Sequence, residues 1–171
     1  MKKFEEKTIQ SKMIFEGRVI SLKVDEVSLP NGGTSNREIV NHPGAVAVIA
    51  LTEDNKLILV EQYRKALERS IIEIPAGKLE KGEEPLETAK RELEEETGIR
   101  ANNIEFLTSC YPSAGYTNEK IYIYLATDFS YGKQHLDDTE EILSIEKIHI
   151  EDCVKLILEN KMEHASCIIA I

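Results

Sequence analysis

The hydrophobic residues of the chain recur mostly with the period of two that is typical of β-strands, and in two places with the period of a helix. The run from Ala45 to Leu51 is apolar throughout, which predicts a strand covered on both faces. Pro85 suits a first helical turn and Gly98 a C-terminal stop, so they bound the clearest helix. The pattern predicts strands at 18–29, 35–41, 45–51, 57–62, 71–74, 104–109, 120–127 and 144–150, and helices at 85–97 and 151–162. Mixed strands and helices predict a layered α/β or α+β fold.

The first predicted strands form a hairpin around the turn signal Pro30-Asn31-Gly32-Gly33. The apolar alternation changes phase between Val24 and Val27, which predicts a β-bulge in this first strand. A hairpin of this size cannot bury a core by itself, so it should pack on the rest of the chain or on a partner subunit. We therefore expect an N-terminal β subdomain at 1–41 and a main domain at 42–171, whose apolar tail packs or lies at an interface.

Composition and charge exclude several classes of function. The 171 residues carry 21 basic and 31 acidic side chains, a net charge of −10, which argues against nucleic-acid binding and against docking on anionic membranes. A small anionic substrate is still compatible, because a bound divalent metal reverses the local field. No apolar run approaches a membrane span, and no secretory signal is recognisable at the start. Three distant cysteines without CxxC spacing predict reduced thiols and a cytoplasmic location.

The segment from residue 77 to residue 99 carries the most informative chemistry. On a helix, Glu92, Glu95 and Glu96 share one face. Like charges at this spacing each destabilise a helix by about 0.2–0.5 kcal/mol, so their grouping calls for a reason. Carboxylates on a rigid element are ligands for hard cations such as Mg²⁺, and a solvated glutamate-rich helix is the alternative. The opposite face carries the core-facing residues Leu86, Ala89 and Leu93.

The whole segment matches the pattern G-x5-E-x7-R-E-U-x-E-E-x-G-U, in which U is aliphatic. The matching residues are Gly77, Glu83, Arg91, Glu92, Leu93, Glu95, Glu96, Gly98 and Ile99. This is the Nudix box, and the chain resembles the Nudix hydrolases. From about residue 7 to residue 158 it is similar to the bacterial ADP-ribose pyrophosphatase branch, through the further motifs at 37–40, 60–64, 73–77 and 111–119.

The resemblance implies a fold, a reaction and a cofactor. The fold would be an α/β/α sandwich around a mixed sheet, with the N-terminal hairpin exchanged in a homodimer. The reaction would be hydrolysis of the ADP-ribose pyrophosphate bond to AMP and ribose 5-phosphate. Two or three Mg²⁺ ions per site would assist it, with Mn²⁺ as the other possible ion. These ions would shield the diphosphate and activate the attacking water.

The resemblance also assigns roles to individual residues. Glu83 and Arg91 would hold the box together, and Glu140 would be the general base, with Asp138 and Glu141 as alternatives. A solvated acidic loop is the alternative interpretation of the segment that carries Glu140. The metal ligands would be the Ala76 carbonyl, Glu92, Glu95, Glu96 and Glu140. The substrate-binding residues would be Arg37, Glu38, Arg64, Glu73, Lys78, Ser113, Gly115 and Glu119.

Several of these assignments have structural alternatives. Arg64 is either a bidentate phosphate contact or a surface arginine, and Glu73 either contacts the adenine or forms a salt bridge at a strand end. The four histidines show no metal spacing and are interpreted as surface or packing residues: His42, His135, His149 and His164.

The chain departs from the branch at one position. Ala114 stands where ADP-ribose-specific members usually have a proline, so another sugar nucleotide or a dinucleotide is the alternative substrate. A non-catalytic nucleotide-sensing module is a third hypothesis. Such a module would be expected to lose metal-binding glutamates, and this chain keeps all three of them in the box.

Overall fold

The computed structural model of the protein describes residues 4–136 and 142–171. Contacts along the backbone divide the described chain into two compact units. The first unit runs up to Gly44 and includes Tyr111–Lys120, and the second comprises Ala45–Cys110 and Ile121–Ile171. The hydrophobic pattern gave no indication that residues 111–120 group with the N-terminal strands.

The first unit contains a three-stranded antiparallel sheet. Its strands are β1 (Lys7–Glu16), β2 (Ser21–Ser28) and β3 (Thr34–Asn41), in the order β1-β2-β3. The predicted hairpin corresponds to β2 and β3, joined by a turn in which Gly32 has a φ of 89°. Strand β1 was not predicted, and all ten of its residues are exposed in this chain.

The bulge predicted in the strand now called β2 is wrong, because β2 and β3 pair in continuous register. The register shifts lie in β1, between Thr8 and Gln10 and between Met13 and Phe15. The change of apolar phase in β2 has another cause. A polar residue, Asp25, takes a buried position on the same strand as the buried Val27. The Asp25 carboxylate is neutralised there by Lys23 and accepts a hydrogen bond from Ser11.

The second unit is built on a seven-stranded mixed sheet. The main strand order is β10-β5-β4-β9-β8, with β6 beside β5 and β7 beside β4. Strands β4 and β9 are parallel, and the other pairs are antiparallel. The strands are β4 (Ala45–Leu51), β5 (Lys56–Arg64), β6 (Arg69–Glu73), β7 (Ala76–Lys78), β8 (Ile99–Cys110), β9 (Ile121–Tyr131) and β10 (Ile142–His149). The helices are α1 (Pro85–Thr97), α2 (Ile150–Leu158) and α3 (Ala165–Ala170).

The sheet of the second unit is covered on both faces. On one face, Val46 and Val48 of β4 belong to a core cluster with Leu93 of α1. On the other face, Ala47 and Ile49 belong to a cluster with residues of α2 and α3. This arrangement confirms the α/β/α sandwich and the prediction that β4 is buried on both sides. Within the described residues, the structure contains no helix that is both long and apolar enough to cross a membrane.

Candidate active site

Helix α1 carries the predicted carboxylates and is held against the sheet by its apolar face. Pro85 occupies the first turn, and Gly98 ends the helix in the left-handed conformation with a φ of 72°. Ala89 and Leu93 are fully buried in the core, which fixes the rotation of the helix about its axis. As a result, Glu92 and Glu96 keep only 6% and 2% of their surface exposed. The alternative of a solvated glutamate face therefore does not apply to these two residues.

Arg91 connects the loop before the helix to the carboxylates on it. Its Nε and Nη2 donate to the two carboxylate oxygens of Glu83, at 3.1 and 3.0 Å. Its Nη1 donates to Glu92 Oε1 at 2.9 Å and to Glu95 Oε2 at 2.8 Å. The hydrogen bonds from Arg91 lower the pKa of Glu83, and the same pairing is the largest cause that raises the pKa of Arg91. One guanidinium thus fixes three carboxylates of the box at once.

The backbone at the start of the box lies directly against two of the helix carboxylates. The Ala76 N–H donates to Glu96 Oε2 at 3.0 Å, which places this peptide beside the Glu96 carboxylate. A Cβ added to Gly77 would lie 1.9 Å from Glu92 Cδ, so only glycine leaves room for Glu92 in its observed place. Pairing of β7 with β4 holds both residues in position.

The chemistry of this donor set fits a hard divalent cation. Glu92 and Glu95 share the Arg91 guanidinium, and Glu96 accepts from the Ala76 N–H. Carboxylate and peptide oxygens are the ligands that Mg²⁺ and Mn²⁺ prefer. A positive charge already lies among them, because Arg91 contacts Glu92 and Glu95. Across residues 4–136 and 142–171, no three acidic, histidine or cysteine side chains are grouped as a ready-made metal site. The contacts to Arg91 and Ala76 account for the present arrangement of the carboxylates.

A second cluster of polar side chains in the second unit links β5, β6 and the segment before α3. Arg64 Nε and Nη2 donate to the two oxygens of Glu73 at 2.6 and 2.9 Å, and Glu73 is only 1% exposed. His164 Nε2 lies 3.4 Å from Glu73 Oε2, and its Nδ1 lies 2.7 Å from Ser166 Oγ. The structure therefore contains the salt bridge that was the alternative interpretation of Glu73. It also fixes the position of the Arg64 guanidinium.

The remaining predicted substrate residues are distributed over both units. Lys78 is an exposed residue within the box, in the second unit. In the first unit, Arg37 Nε and Nη2 donate to the two carboxylate oxygens of Glu6, which lowers the pKa of that carboxyl. Glu38 is exposed on the same strand.

The loop at residues 111–120 is attached to β3 within the first unit. Val40 N–H donates to the Tyr116 carbonyl at 2.8 Å, and Asn118 Oδ1 accepts from His42 N–H at 2.8 Å. Glu119 Oε1 lies 3.8 Å from His42 Nδ1. The same His42 nitrogen accepts a hydrogen bond from the Gly44 N–H at 3.1 Å. The two other predicted residues of this loop are Ser113, whose carbonyl accepts from Tyr116 and Thr117, and the exposed Gly115.

The assignment of the general base falls on residues that the structure does not describe. Glu140 and its alternatives Asp138 and Glu141 lie in the segment 137–141, outside the described residues. Immediately before it, Gln134 and His135 form hydrogen bonds to the C-terminal end of α1. The contacts of Gln134 with Glu96 and of His164 with Glu73 were not predicted. Neither had a signal in the sequence, because both contacts join residues far apart along the chain.

Comparison with known proteins places this architecture among characterised families. The NUDIX domain model matches residues 41–168, and the model for a nucleoside diphosphate sugar hydrolase N-terminal domain matches residues 6–40. The chain is 50% identical over 173 residues to the ADP-ribose pyrophosphatase of Bacillus subtilis, covering 100% of this chain and 93% of that protein. It is also 50% identical over 171 residues to the methanol dehydrogenase activator of Bacillus methanolicus, covering 99% of this chain and 92% of that protein.

A solved structure supports the fold independently. The crystal structure of an ADP compounds hydrolase superimposes with a TM-score of 0.84 at 22% sequence identity, covering 97% of this chain and 90% of that one. At this identity the likeness concerns the fold alone. Together with the match to the NUDIX domain over most of the chain and the intact box on α1, it confirms the resemblance drawn from the sequence. The chain belongs to the Nudix hydrolase family.

Proposed function

We propose that the protein hydrolyses the pyrophosphate bond of ADP-ribose with the help of divalent metal ions, and releases AMP and ribose 5-phosphate. The observation that carries this proposal is the set of carboxylates on α1, where Arg91 binds Glu92 and Glu95 and the Ala76 N–H binds Glu96. The choice of substrate is supported by the Bacillus subtilis relative, which is named ADP-ribose pyrophosphatase and matches over the full length of this chain.

The residues of the box would bind the metal ions and keep their own geometry fixed. Glu92, Glu95, Glu96 and the Ala76 carbonyl would supply oxygen ligands. When bound, the cations act as Lewis acids on the phosphoryl oxygens and lower the pKa of a coordinated water. Glu83 orients Arg91, and Arg91 in turn orients the carboxylates, as partners behind metal ligands do in other sites. Two or three Mg²⁺ ions per site, with Mn²⁺ as the other suitable ion, would offset the charge of a dianionic substrate.

Outside the box, the proposal assigns one base and a set of substrate contacts. Glu140 would take the proton from the attacking water, with Asp138 and Glu141 as alternatives. Arg64 is suited to a phosphate, because its planar fork is already oriented by Glu73. The further substrate contacts in this proposal are Arg37, Glu38, Glu73, Lys78, Ser113, Gly115 and Glu119.

We further propose that the protein is a homodimer that associates through its N-terminal sheet. Every residue of β1 is exposed in the single chain, including Ile9, Met13 and Phe15. Apolar side chains grouped on one exposed strand are typical of an interaction surface. In such a dimer Arg37 and Glu38 would contact the substrate bound by the partner subunit.

A cytoplasmic location is supported by the buried free thiols of Cys153 and Cys167, since burial raises the pKa of Cys167 to about 12 and keeps it unreactive.

The proposal is tested by measuring AMP and ribose 5-phosphate released from ADP-ribose, with Mg²⁺ and with excess EDTA. Wild type is compared with Glu96→Gln, which keeps an oxygen for the Ala76 N–H but removes the charge. We expect turnover only with Mg²⁺ and a loss of about 10³-fold in the variant, because a metal contributes several kcal/mol to the barrier. Glu87→Gln, on the exposed side of α1, should stay active. A folded wild type that releases no AMP in the presence of Mg²⁺ would overturn the choice of ADP-ribose.

A second candidate function is the same reaction on another nucleoside diphosphate derivative. Ala114 replaces the usual proline, and the family model that matches residues 6–40 is named for nucleoside diphosphate sugar hydrolases. A panel of ADP-ribose, sugar nucleotides and dinucleotides, ranked by kcat/KM, decides between the two candidates. Saturable binding of ADP-ribose without turnover of any member of the panel would instead support a nucleotide-sensing module.

A further inference from the structure

The C-terminal end of α1 needs hydrogen-bond donors that the helix itself does not supply. A helix leaves its last four carbonyl groups without partners of its own. At this end the Glu94 carbonyl accepts from the Gly98 N–H, at 2.8 Å. The next two carbonyls belong to Glu95 and Glu96, the residues whose side chains are the proposed metal ligands. Whatever binds these carbonyls therefore holds the part of the backbone that carries the ligands.

The segment that follows β9 supplies both missing donors. The His135 N–H donates to the Glu95 carbonyl at 3.0 Å, and Gln134 Nε2 donates to the Glu96 carbonyl at 2.7 Å. The Gly132 N–H adds a bond to the Gly98 carbonyl, at 2.6 Å. Of these three donors only the Gln134 amide is a side chain. It is therefore the one contact that a substitution changes without altering the backbone.

Close packing fixes this segment on the helix end. A Cβ added to Gly98 would lie 2.9 Å from the Gly132 carbonyl oxygen and 3.0 Å from the Gln134 nitrogen. Gly98 is thus required for its left-handed conformation and also for the space that the segment occupies. This packing surrounds the hydrogen bond from Gln134 to Glu96, which joins residues separated by 38 positions along the chain.

We propose that Gln134 is a positioning residue for metal binding, because its bond to the Glu96 carbonyl sets the last turn of α1 and so the carboxylates of Glu95 and Glu96. This inference rests on the proposed role of these glutamates in metal binding. Metal ligands must lie within a few tenths of an ångström of their ideal distance, so a small rotation of the last turn lowers affinity. The partial negative charge at a helix C-terminus further favours a donor there over an acceptor.

Four variants separate the donor from other properties of the side chain. Gln134→Glu keeps the shape, removes the donor and brings a negative charge to the carbonyl group of Glu96. Gln134→Ala removes the donor without adding charge, and Gln134→Lys restores a donor of similar length. Lys133→Gln, at an exposed neighbouring position, changes the net charge by the same amount as Gln134→Glu but leaves the Gln134 amide in place.

The measurement is the Kd for Mn²⁺ in the absence of substrate, determined by electron paramagnetic resonance of the free ion and by titration calorimetry. We expect Kd to rise about tenfold in Gln134→Glu and about threefold in Gln134→Ala, the range of one hydrogen bond. Gln134→Lys and Lys133→Gln should bind Mn²⁺ like the wild type. All measurements are made well below the unfolding midpoint of each variant. If Gln134→Glu does not fold, Gln134→Ala and Gln134→Lys decide the question.

Two results would overturn the proposal. One is an unchanged Mn²⁺ affinity in Gln134→Ala, and the other is a Gln134→Lys variant that binds as weakly as Gln134→Ala. Because no substrate is present, these outcomes are independent of whether ADP-ribose is hydrolysed. A wild type that binds Mn²⁺ but does not release AMP would count against the proposed substrate and not against the role of Gln134.

Discussion

The Nudix box and the N-terminal sheet differ in where their residues find partners. In the box, Arg91 contacts Glu83 eight residues before it and Glu95 four residues after it. In the N-terminal sheet, the ten residues of β1 are exposed, and apolar side chains such as Ile9 and Met13 are not buried in a hydrophobic core. The contacts of the box are therefore made within one chain, whereas the N-terminal sheet presents the exposed apolar surface on which the proposed dimer rests.

The same difference separates what each region contributes to stability. In α1, Ala89 and Leu93 are fully buried, and burial of a leucine-sized side chain contributes about 1.5–3 kcal/mol. In β1, the side chains bury little within the chain, and the strand is held by its pairing with β2 and by the bond from Ser11 to Asp25. Substitutions in the box should thus lower the activity of each chain, and substitutions in β1 should weaken the association of two chains.

Replacing Gly77 by alanine should have the largest effect on activity, and it tests whether the box geometry is complete within one chain. The new Cβ would lie 1.9 Å from Glu92 Cδ, and the flexible end of Glu92 would yield before the backbone does. We expect kcat/KM for ADP-ribose to fall about 100-fold, as for a ligand misplaced by about an ångström, with little change in the unfolding midpoint. The control is Lys81→Ala, at an exposed position of the same loop. A fully active Gly77→Ala would show that Glu92 does not need its observed place.

The box was predictable because its contacts are local and its spacing matches the period of a helix. The predicted bounds of α1, 85–97, and of β4, 45–51, coincide with those in the structure. The contact of Gln134 with Glu96 was not predictable, because it depends on how β9 returns to the end of α1. Gln134 is an exposed polar residue, and no hydrophobic period or motif in the sequence indicates its contact with Glu96.

The N-terminal sheet was less predictable for a physical reason. Two register shifts in β1, after Thr8 and after Met13, interrupt the period of two by which a strand is recognised. In β2, the buried Asp25 takes the place of an apolar residue, and this produced the wrong prediction of a bulge. The start of β8 at Ile99, five residues before its predicted start, is set by pairing with β9 along a polar stretch. In each case the tertiary pairing overrides the local pattern.

Replacing Met13 by glutamate should have an intermediate effect, and it tests the proposed partner of the N-terminal sheet. In a dimer that buries β1, the new charge would lose its hydration, and we expect the dissociation constant to rise about 30-fold. In a single chain Met13 is exposed, so the unfolding midpoint at low concentration should not change. Sedimentation velocity over a range of concentrations measures both species. Gln10→Glu changes the charge of the same strand equally at a polar position. A monomeric wild type, or a Met13→Glu variant that dimerises normally, would contradict the interface.

Replacing Asn118 by alanine should have the smallest effect, and it asks whether the first unit contributes to substrate binding as well as to association. Asn118 Oδ1 accepts from the His42 N–H and helps to hold the loop at 111–120 on β3. One hydrogen bond of this kind contributes about 1 kcal/mol, so KM for ADP-ribose should rise about threefold to fivefold while kcat stays unchanged.

The matched control is Asn118→Asp, because the aspartate keeps an acceptor oxygen at the same position and should retain the KM of the wild type. Steady-state kinetics of the three proteins therefore separates loss of the acceptor from any change of shape at this position. If Asn118→Asp is impaired as much as Asn118→Ala, the bond to His42 is not the cause. If neither variant changes KM, the loop does not contribute to substrate affinity through this bond. The first unit would then act on the substrate through the proposed contacts of Arg37 and Glu38, and not through the bond between Asn118 and His42.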